Sequence, residues 1–597
     1  MMNIQERVEK LREKMAARDL DAYIVLTSDP HSSEYVPEYY KEREFITGFT
    51  GSAGTAVITK NKAGLWTDSR YFLQAEEELK GTPFKLYRMY TNDGDPTWQE
   101  FLLAETSEFA KIGFDGFTMP TSIYRQLSQS MGNRLLVTDV DFISEIWENR
   151  PSLPKRPAFY YPVEHSGASM EEKIKILRFM MREREVDYTF LGSLDDVCYL
   201  FNIRGFDVED TPVVLSFALV SQDKVMVFIQ PEKLSDEIRR PLDKAGVEIY
   251  AYDDIANKLS AIPPQKTVYL DPNYTNISLY QAIPDNVRIE KGINLTTLMK
   301  AIKNETEIDN IRQAFIKDGV ALMKFFNWVE TGAKTGSVSE RAAAKRLNEF
   351  RAEGEDFLMD SFPAIIGYDA NGAIVHYNPM HSDHPATIQN RGLLLVDSGG
   401  QYLQGTTDIT RTYAMGETTE EEKTDYTLVL KAHIAGMAAK FPEGTTGSYI
   451  HDVVRYPLNQ AGKDFNHGTG HGVGMLLSCH EGPQTFSSKD RGVKIVPGMV
   501  TSVEPGLYVT GKHGIRTESI TLCVEGEKTD FGTFYEFESL TWVPIDTRPI
   551  DIDLLTDFEL DWVNAYNRTC YEKLADHLDG EVLAYLKERT RAIERPQ

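Results

Sequence analysis

Cysteine is scarce in this chain. Four residues, Cys198, Cys479, Cys523 and Cys570, are spread over 597 positions, and none forms a C-x-x-C pair. That excludes a disulfide framework, and free thiols in a reducing compartment are the expectation. Long apolar runs are missing too. No stretch of about 18 apolar residues occurs, so no membrane-spanning helix is expected. The opening residues, MMNIQERVEKLREKM, are charged and helix-patterned and lack the apolar core of a secretory signal. Basic charge is in deficit. Lys and Arg number 64 against 90 Asp and Glu, a formal net charge of −26, which argues against nucleic acid or an anionic membrane as the main partner. A cytoplasmic protein is expected.

What is present suits a large globular chain. Hydrophobic residues make up 41% and charged residues 26%, enough for a sizeable core. The length is too great for one domain, and two to four are expected. Nine of the 12 histidines lie between His376 and His513, which places any histidine chemistry late in the chain.

The first half contains an echo. LREKMAARDLD at 11–21 and LRFMMREREVD at 177–187 match at five of eleven positions, 166 residues apart. Both have helical spacing and then enter an apolar strand, AYIVLTS or YTFLGS. Two α/β domains of one kind in tandem are the simplest account, predicted over 1–155 and 156–305. The proline-rich PSLPKRPAFYYPV at 151–163 closes the first. From about 305 the texture changes. Ile308, Ile311, Phe315, Val320, Met323 and Phe326 predict a long amphipathic helix, and further helices are predicted over 338–350 and 420–440. A strand-rich last domain is predicted over 306–597, with a C-terminal extension from about 538.

Candidate chemistry sits on two predicted hairpins. LLLVDSGGQYLQGTTDITRTY, 393–413, runs an apolar strand into Asp397 and returns through Asp408. Centred on Tyr402 and Leu403, the hairpin sets the two aspartates opposite each other on one face. Carboxylates that close repel unless a cation lies between them, and LLLV makes an exposed strand a poor account of them. MVTSVEPGLYVTGKHGIRTESITLCV, 499–524, repeats the pattern with Glu504 and Glu518 about Gly511, although Pro505-Gly506 threatens to bulge the first strand. Four carboxylates and a nearby imidazole suit a pair of divalent ions such as Mn²⁺, Co²⁺ or Zn²⁺.

HGTGHGVG, 467–474, supplies the imidazole. It is no phosphate loop, having neither the Lys nor the preceding strand. Four glycines oppose a helix, so His467 and His471 are expected to have separate jobs, one as ligand and one as substrate contact. The glycines are expected to bring the backbone close to the metals. His480 and His376 offer further imidazoles, and His376 is placed at the end of an apolar strand.

The set Asp397, Asp408, His471, Glu504 and Glu518 resembles the ligand set of the pita-bread metallopeptidases. HGTGHGVG followed by HEGP is similar to the aminopeptidase P and prolidase branch. SEYVPEYYKEREFITGFTGSAGTAVIT, WTDSRYFLQAE, YLFNIRGFDVEDTPV and FESLTWVPIDTRPID extend the resemblance to the large, three-domain aminopeptidase P family over nearly the whole chain. The resemblance implies two creatinase-N-like α/β domains followed by a pita-bread domain, and two ions per subunit, most often Mn²⁺, held by those five residues with Asp408 and Glu518 bridging. It implies substrate contacts at His376, His467 and His480, and an Arg516 that buttresses Glu518. It also implies a homodimer and substrates that are peptides with a free N-terminus and proline second. In the expected mechanism a hydroxide shared by the ions attacks the first residue's carbonyl, His480 or His376 steadies the oxyanion, and Glu504 shuttles the proton. The leaving nitrogen belongs to proline and needs no partner for an N–H. Cys479 departs from the β-branched residue common before His480 and reads as packing. The alternatives are a prolidase limited to dipeptides, or a non-catalytic binding protein of the same fold. A metal-free creatinase-like hydrolase and a methionine aminopeptidase fit less well, since all five ligands and two extra domains are present.

Overall fold

The computed structural model describes residues 2–91 and 94–595. It divides into two units, Met1–Pro162 with Ala168–Thr297, and Val163–Gly167 with Leu298–Gln597.

The first unit is built from a repeat. Helix Ile4–Ala17 starts at a capping box of Asn3 and Glu6, and helix Met170–Glu183 at one of Ser169 and Glu172. Such caps satisfy orphan N–H groups and contribute about 1 kcal/mol each. The buried positions Val8, Leu11 and Met15 recur as Ile174, Leu177 and Met181. Each helix feeds a six-stranded sheet. In the first, Ala22–Leu26 lies between Thr55–Thr59 and Lys111–Gly113, flanked by Ala63–Thr67 and Lys85–Arg88 on one side and Leu135–Val137 on the other. In the second, Tyr188–Leu191 lies between Ser216–Ser221 and Thr267–Leu270, flanked by Val225–Ile229 and Val247–Tyr250 and by Arg288–Lys291. Strand order and the sense of every pairing agree between the sheets.

The two halves meet through equivalent segments. FDGFTMPTS (114–122) and LDPNYTNIS (270–278) run antiparallel. Thr121 N donates to Thr275 O and Ile277 N to Met119 O, each at 2.8 Å, about a bridge between Pro120 and Asn276. Asp115 and Asp271 hold the same place in each segment and accept from the N–H two residues on, at 2.8 and 2.9 Å. Burial raises their carboxyls to about 7 and about 6. The joint is thus an internal pseudo-twofold contact between the repeats.

The second unit opens with helix Glu305–Ala333, capped by Asn304 and Glu307. More than a stripe of it is buried: Leu322, Phe325 and Val329 join Ile311, Phe315, Met323 and Phe326 in the core, whereas Ile308 and Val320 are only half-buried. Helices Glu340–Ala352 and Glu420–Met437 fall where helices are predicted, and a further helix, Gly447–Gln460, follows them. Two sheets carry the site. One orders Ile365–Tyr368, Leu393–Ser398 and Ile409–Ala414; the other orders Phe441–Pro442, Gly532–Ser539, Ser519–Thr529, Val500–Val503, Gly470–Gly472 and Glu481–Phe486.

Buried polar pairs fix the first hairpin from behind. Asp318, fully buried on the long helix, accepts from Arg351 Nε at 2.6 Å, Tyr402 OH at 2.9 Å and Thr407 Oγ1 at 2.8 Å, and Arg351 reaches Ser398 Oγ at 3.0 Å. Removing one member of such a pair typically costs 3–5 kcal/mol, roughly, because the other is left uncompensated. The C-terminal residues brace the return strand. Arg411 donates to Val543 O at 2.9 Å and Tyr566 OH at 2.6 Å, and Ala414 N to Asp546 Oδ2 at 2.8 Å.

His433, in helix Glu420–Met437, is fully buried and neither ring nitrogen has a partner. Trp562 meets it edge-on at 6.0 Å. Burial, with the charge of Arg411, lowers its pKa well below the ordinary value. The folded imidazole stays neutral while the unfolded one takes a proton below about 6.5. The stability this contributes is therefore complete above that pH and falls by about 1.4 kcal/mol per unit below it. His433→Leu should flatten the fall in thermal midpoint between pH 7.5 and 5.5; an unchanged pH dependence would contradict this.

Candidate metal centre

Asp397 lies near the end of strand Leu393–Ser398, and Asp408 just before strand Ile409–Ala414. The ladder runs from Leu393 opposite Ala414 to Ser398 opposite Ile409, so Asp397 faces Thr410 and not Asp408. The turn falls at Leu403-Gln404, one residue later than the sequence predicts, since Tyr402 pairs with Gly405. Asp408 is two positions from Thr410 and keeps the same side, because diagonal neighbours share a face. In the second hairpin Val503 pairs with Ser519 and Gly506 with Arg516. Glu504 and Glu518 sit opposite each other in the gap between those ladders. Pro505 interrupts the pairing without shifting the register.

These elements bring the five predicted ligands together. Ligand atoms of Asp397, Asp408 and Glu518 lie within 4.8 Å of one another, as do those of His471, Glu504 and Glu518. His471 Nε2 is 3.2 Å from Asp408 Oδ2 and 3.5 Å from Glu504 Oε1. Its Nδ1 sits 2.9 Å from Gly472 O, which orients Nε2 toward the carboxylates. Thr410 Oγ1 donates to Glu518 Oε2 at 2.7 Å, and Ser502 Oγ to Glu504 Oε1 at 3.2 Å.

The charge balance favours cations. Burial, with the charges of Asp408, Glu504 and Asp397, pushes the Glu518 carboxyl well above its usual range. Burial likewise raises Asp397 and Glu504. Burial works against the His471 imidazolium, yet its hydrogen bond to Asp408 and the charge of Glu504 carry its pKa up to about 9. Asp397 Oδ1 and Glu518 Oε1 are buried without any hydrogen-bond partner. A buried carboxylate oxygen without a donor is costly, and a divalent ion supplies what these two lack. The donor set of four carboxylates and one imidazole therefore fits a pair of ions. Among the described residues the remaining acidic group, Glu42, Asp115 and Asp141 in the first unit, contains no histidine, and Arg150 pairs with its Glu42.

The other predicted residues have distinct places. His467 is in no ligand group; its Nε2 lies 2.8 Å from Tyr508 OH. His480 meets the His471 ring edge-on at 4.2 Å, and its ligand atom groups with those of Asp408 and His471. His376 does not end a strand. It lies in a turn after the short helix Asp369–Ala373, which interrupts the strand and in which Gly372 packs backbone to backbone against Gly514. Arg516 does not buttress Glu518. It grips Asp397 Oδ2 through Nε at 3.2 Å and Nη2 at 2.5 Å, and donates to Tyr508 OH at 2.7 Å. The glycines of HGTGHGVG serve strand packing more than metal approach. A Cβ on Gly470 would lie 2.0 Å from Ser502 O, and one on Gly472 2.3 Å from Glu481 O.

Several contributors escape sequence reasoning. Cys479 does more than pack: its thiol donates to Asp408 Oδ2 at 3.3 Å. Tyr508 joins His467 to Arg516. Thr410 and Ser502 orient the glutamates. Thr410, alternating with Asp408 in TTDIT, and Ser502, alternating with Glu504 in TSVE, each carry a local signal.

Comparison with known proteins agrees with this architecture. Residues 309–525 match the model of metallopeptidase family M24, and 533–593 the C-terminal region of that peptidase. Residues 7–150 and 149–307 each match the creatinase/prolidase N-terminal domain. A probable Xaa-Pro aminopeptidase P of Pyricularia oryzae is 38% identical over 99% of both chains, and aminopeptidase P1 of Arabidopsis thaliana 33% over 99% of both. The crystal structure of an X-prolyl aminopeptidase from Caenorhabditis elegans, described as cytosolic with a di-nuclear active site, superposes with a TM-score of 0.94 at 31% identity, covering 99% of this chain and 100% of that one. With two creatinase-type N-terminal domains ahead of a peptidase domain and its C-terminal region, the chain belongs to the aminopeptidase P branch of metallopeptidase family M24.

Proposed function

We propose that this chain is an Xaa-Pro aminopeptidase, hydrolysing the bond between an N-terminal residue and a following proline at a centre of two divalent ions. The observation that carries the reading is the cluster of four carboxylates and His471, buried at Asp397, Asp408 and Glu518 and half-buried at Glu504 and His471, with orphaned oxygens on Asp397 and Glu518. Asp397, Asp408, His471, Glu504 and Glu518 would hold the ions, with Glu518 common to both triads. Bound there, they would polarise the scissile carbonyl and lower the pKa of an attacking water.

The protein's own groups do the rest. Arg516 holds Asp397 in place and offsets part of the acidic charge. Glu504, raised by burial, is suited to accept the proton of the attacking water and return it to the proline nitrogen as that leaves. His480 is assigned to the developing oxyanion, His467 to the proline side of the substrate, and His376 to a substrate contact. We extend the reading to Mn²⁺ and to a homodimer, and also to a cytosolic location, the last being the one described for the C. elegans relative. Domain limits at about 155 and 305 are part of the same proposal, supported by the repeated strand order.

Three outcomes test it. About two divalent ions should bind per chain, and Asp408→Ala should lose most metal and activity together; full metal content with full activity would sink the assignment. Tripeptides and longer peptides with proline second should be cut after residue one, and N-acetylation should stop cleavage, as mass analysis of the products would reveal; action on dipeptides alone would favour the prolidase alternative. Among the histidines, His471→Ala should lose metal. His467→Ala and His480→Ala should keep it and turn over slowly, His480→Ala by about 10²–10³ in kcat. Metal analysis beside kcat and KM separates them, and retention by His471→Ala with loss by His467→Ala would reverse the reading.

A further inference from the structure

The segment carrying His480 is held from two sides. On one side it rests on the first hairpin. Gln401 Nε2 donates to Leu477 O at 2.9 Å, Thr406 Oγ1 donates to Gln401 Oε1 at 2.7 Å, and the Cys479 thiol reaches Asp408. On the other side, the residue directly after His480 is gripped by two lysines. Glu481 Oε2 lies 2.9 Å from Lys300 Nζ, and Oε1 lies 2.6 Å from Lys303 Nζ. Lys303 Nζ also donates to Lys300 O at 2.7 Å.

All three side chains are buried, at 1% exposure for Glu481, 6% for Lys300 and 2% for Lys303. The lysines sit on a fixed base. Lys303 N donates to Gly498 O at 2.9 Å, and Ile302 bridges to Met499. Glu481 begins strand Glu481–Phe486, where it pairs with Gly472, next to His471.

Three charges buried together are a poor device for stability alone. Their desolvation offsets most of their attraction, and apolar residues of similar volume often serve as well or better. What such a cluster does supply is a single fixed position, which an active-site loop requires. A displacement of about 1 Å in a group acting on the transition state can cost 10²-fold in rate.

We propose that Glu481, gripped by Lys300 and Lys303, is the positioning residue for His480, fixing the backbone from which that imidazole meets the substrate. The proposal rests on the reading of His480 as the oxyanion-stabilising group. It assigns no contact with substrate or metal to Glu481 or to either lysine.

The test uses the full chain loaded with Mn²⁺ and an Xaa-Pro-Yaa peptide. Glu481→Gln and Lys303→Met are each made alone and in a His480→Ala background, with kcat, KM, metal content and thermal midpoint measured. Each single variant is expected to lose about ten- to a hundredfold in kcat, with metal content retained. Combined with His480→Ala, each should add little further loss, because the group it positions is already gone. Lys303→Arg, which keeps the charge, should recover most of the rate. Wild-type kcat in both single variants overturns the proposal, and so does an equal loss in both backgrounds, the mark of a merely structural role. Wild-type kcat in His480→Ala itself defeats the His480 reading, and the proposal with it. If Glu481→Gln does not fold, Lys303→Met, which leaves the Lys300 pair intact, carries the test; loss of folding in both assigns the cluster to stability and overturns the proposal.

Discussion

Mutual repulsion among four closely packed carboxylates, three of them buried, is the constraint on which the second unit depends. Asp397, Asp408 and Glu518 are buried and Glu504 is half-buried, and the four share a space too small for as many negative charges. The protein compensates only in part. Arg516 neutralises Asp397, and His471 sits against Asp408 and Glu504. Burial, together with the charges left uncompensated, raises the Glu518 carboxyl, and one oxygen each of Asp397 and Glu518 has no donor. Two divalent ions held by these residues would offset the repulsion and would supply the Lewis acidity that peptide hydrolysis needs. The strain of the ligand set and its chemistry have one origin.

Holding such a set demands a stiff frame, and the surrounding residues supply it mostly through polar contacts between distant parts of the chain. Asp318 and Arg351 lock the first hairpin against the long helix. Arg411 ties the return strand to the C-terminal residues. Glycines at 470 and 472 let three strands approach closely enough for His471 to reach both acidic pairs. The C-terminal residues thus work as a brace for the site, although none of them belongs to the ligand set.

Much of this was legible in the sequence, for reasons of periodicity. The 166-residue echo gives two helices with the same capping box and the same buried positions. The alternation of strands put the right carboxylates on one face even where the register was misplaced. Moving the first turn by one residue shifts the partner of Asp397 from Asp408 to Thr410, a step of two that preserves the face. The second hairpin kept its register because Gly511, at φ +77°, turns the chain where TGKHG suggests. Tertiary partners left no such trace. Arg516 reaches a carboxylate 119 residues away and Lys303 one 178 residues away, and no local pattern marks either. The turn that carries His376 follows a short helix in which Gly372 packs backbone to backbone against Gly514, a contact made only in the folded chain.

The central claim is that the two ligand triads hold two ions close enough to share Glu518. Electron paramagnetic resonance of the Mn²⁺-loaded protein tests it most directly. As metal is added, the hyperfine pattern of isolated Mn²⁺ should give way to the signal of an exchange-coupled pair, with activity on an Xaa-Pro-Yaa peptide rising alongside it. An isolated-ion spectrum that merely grows with added metal up to saturation would contradict the account.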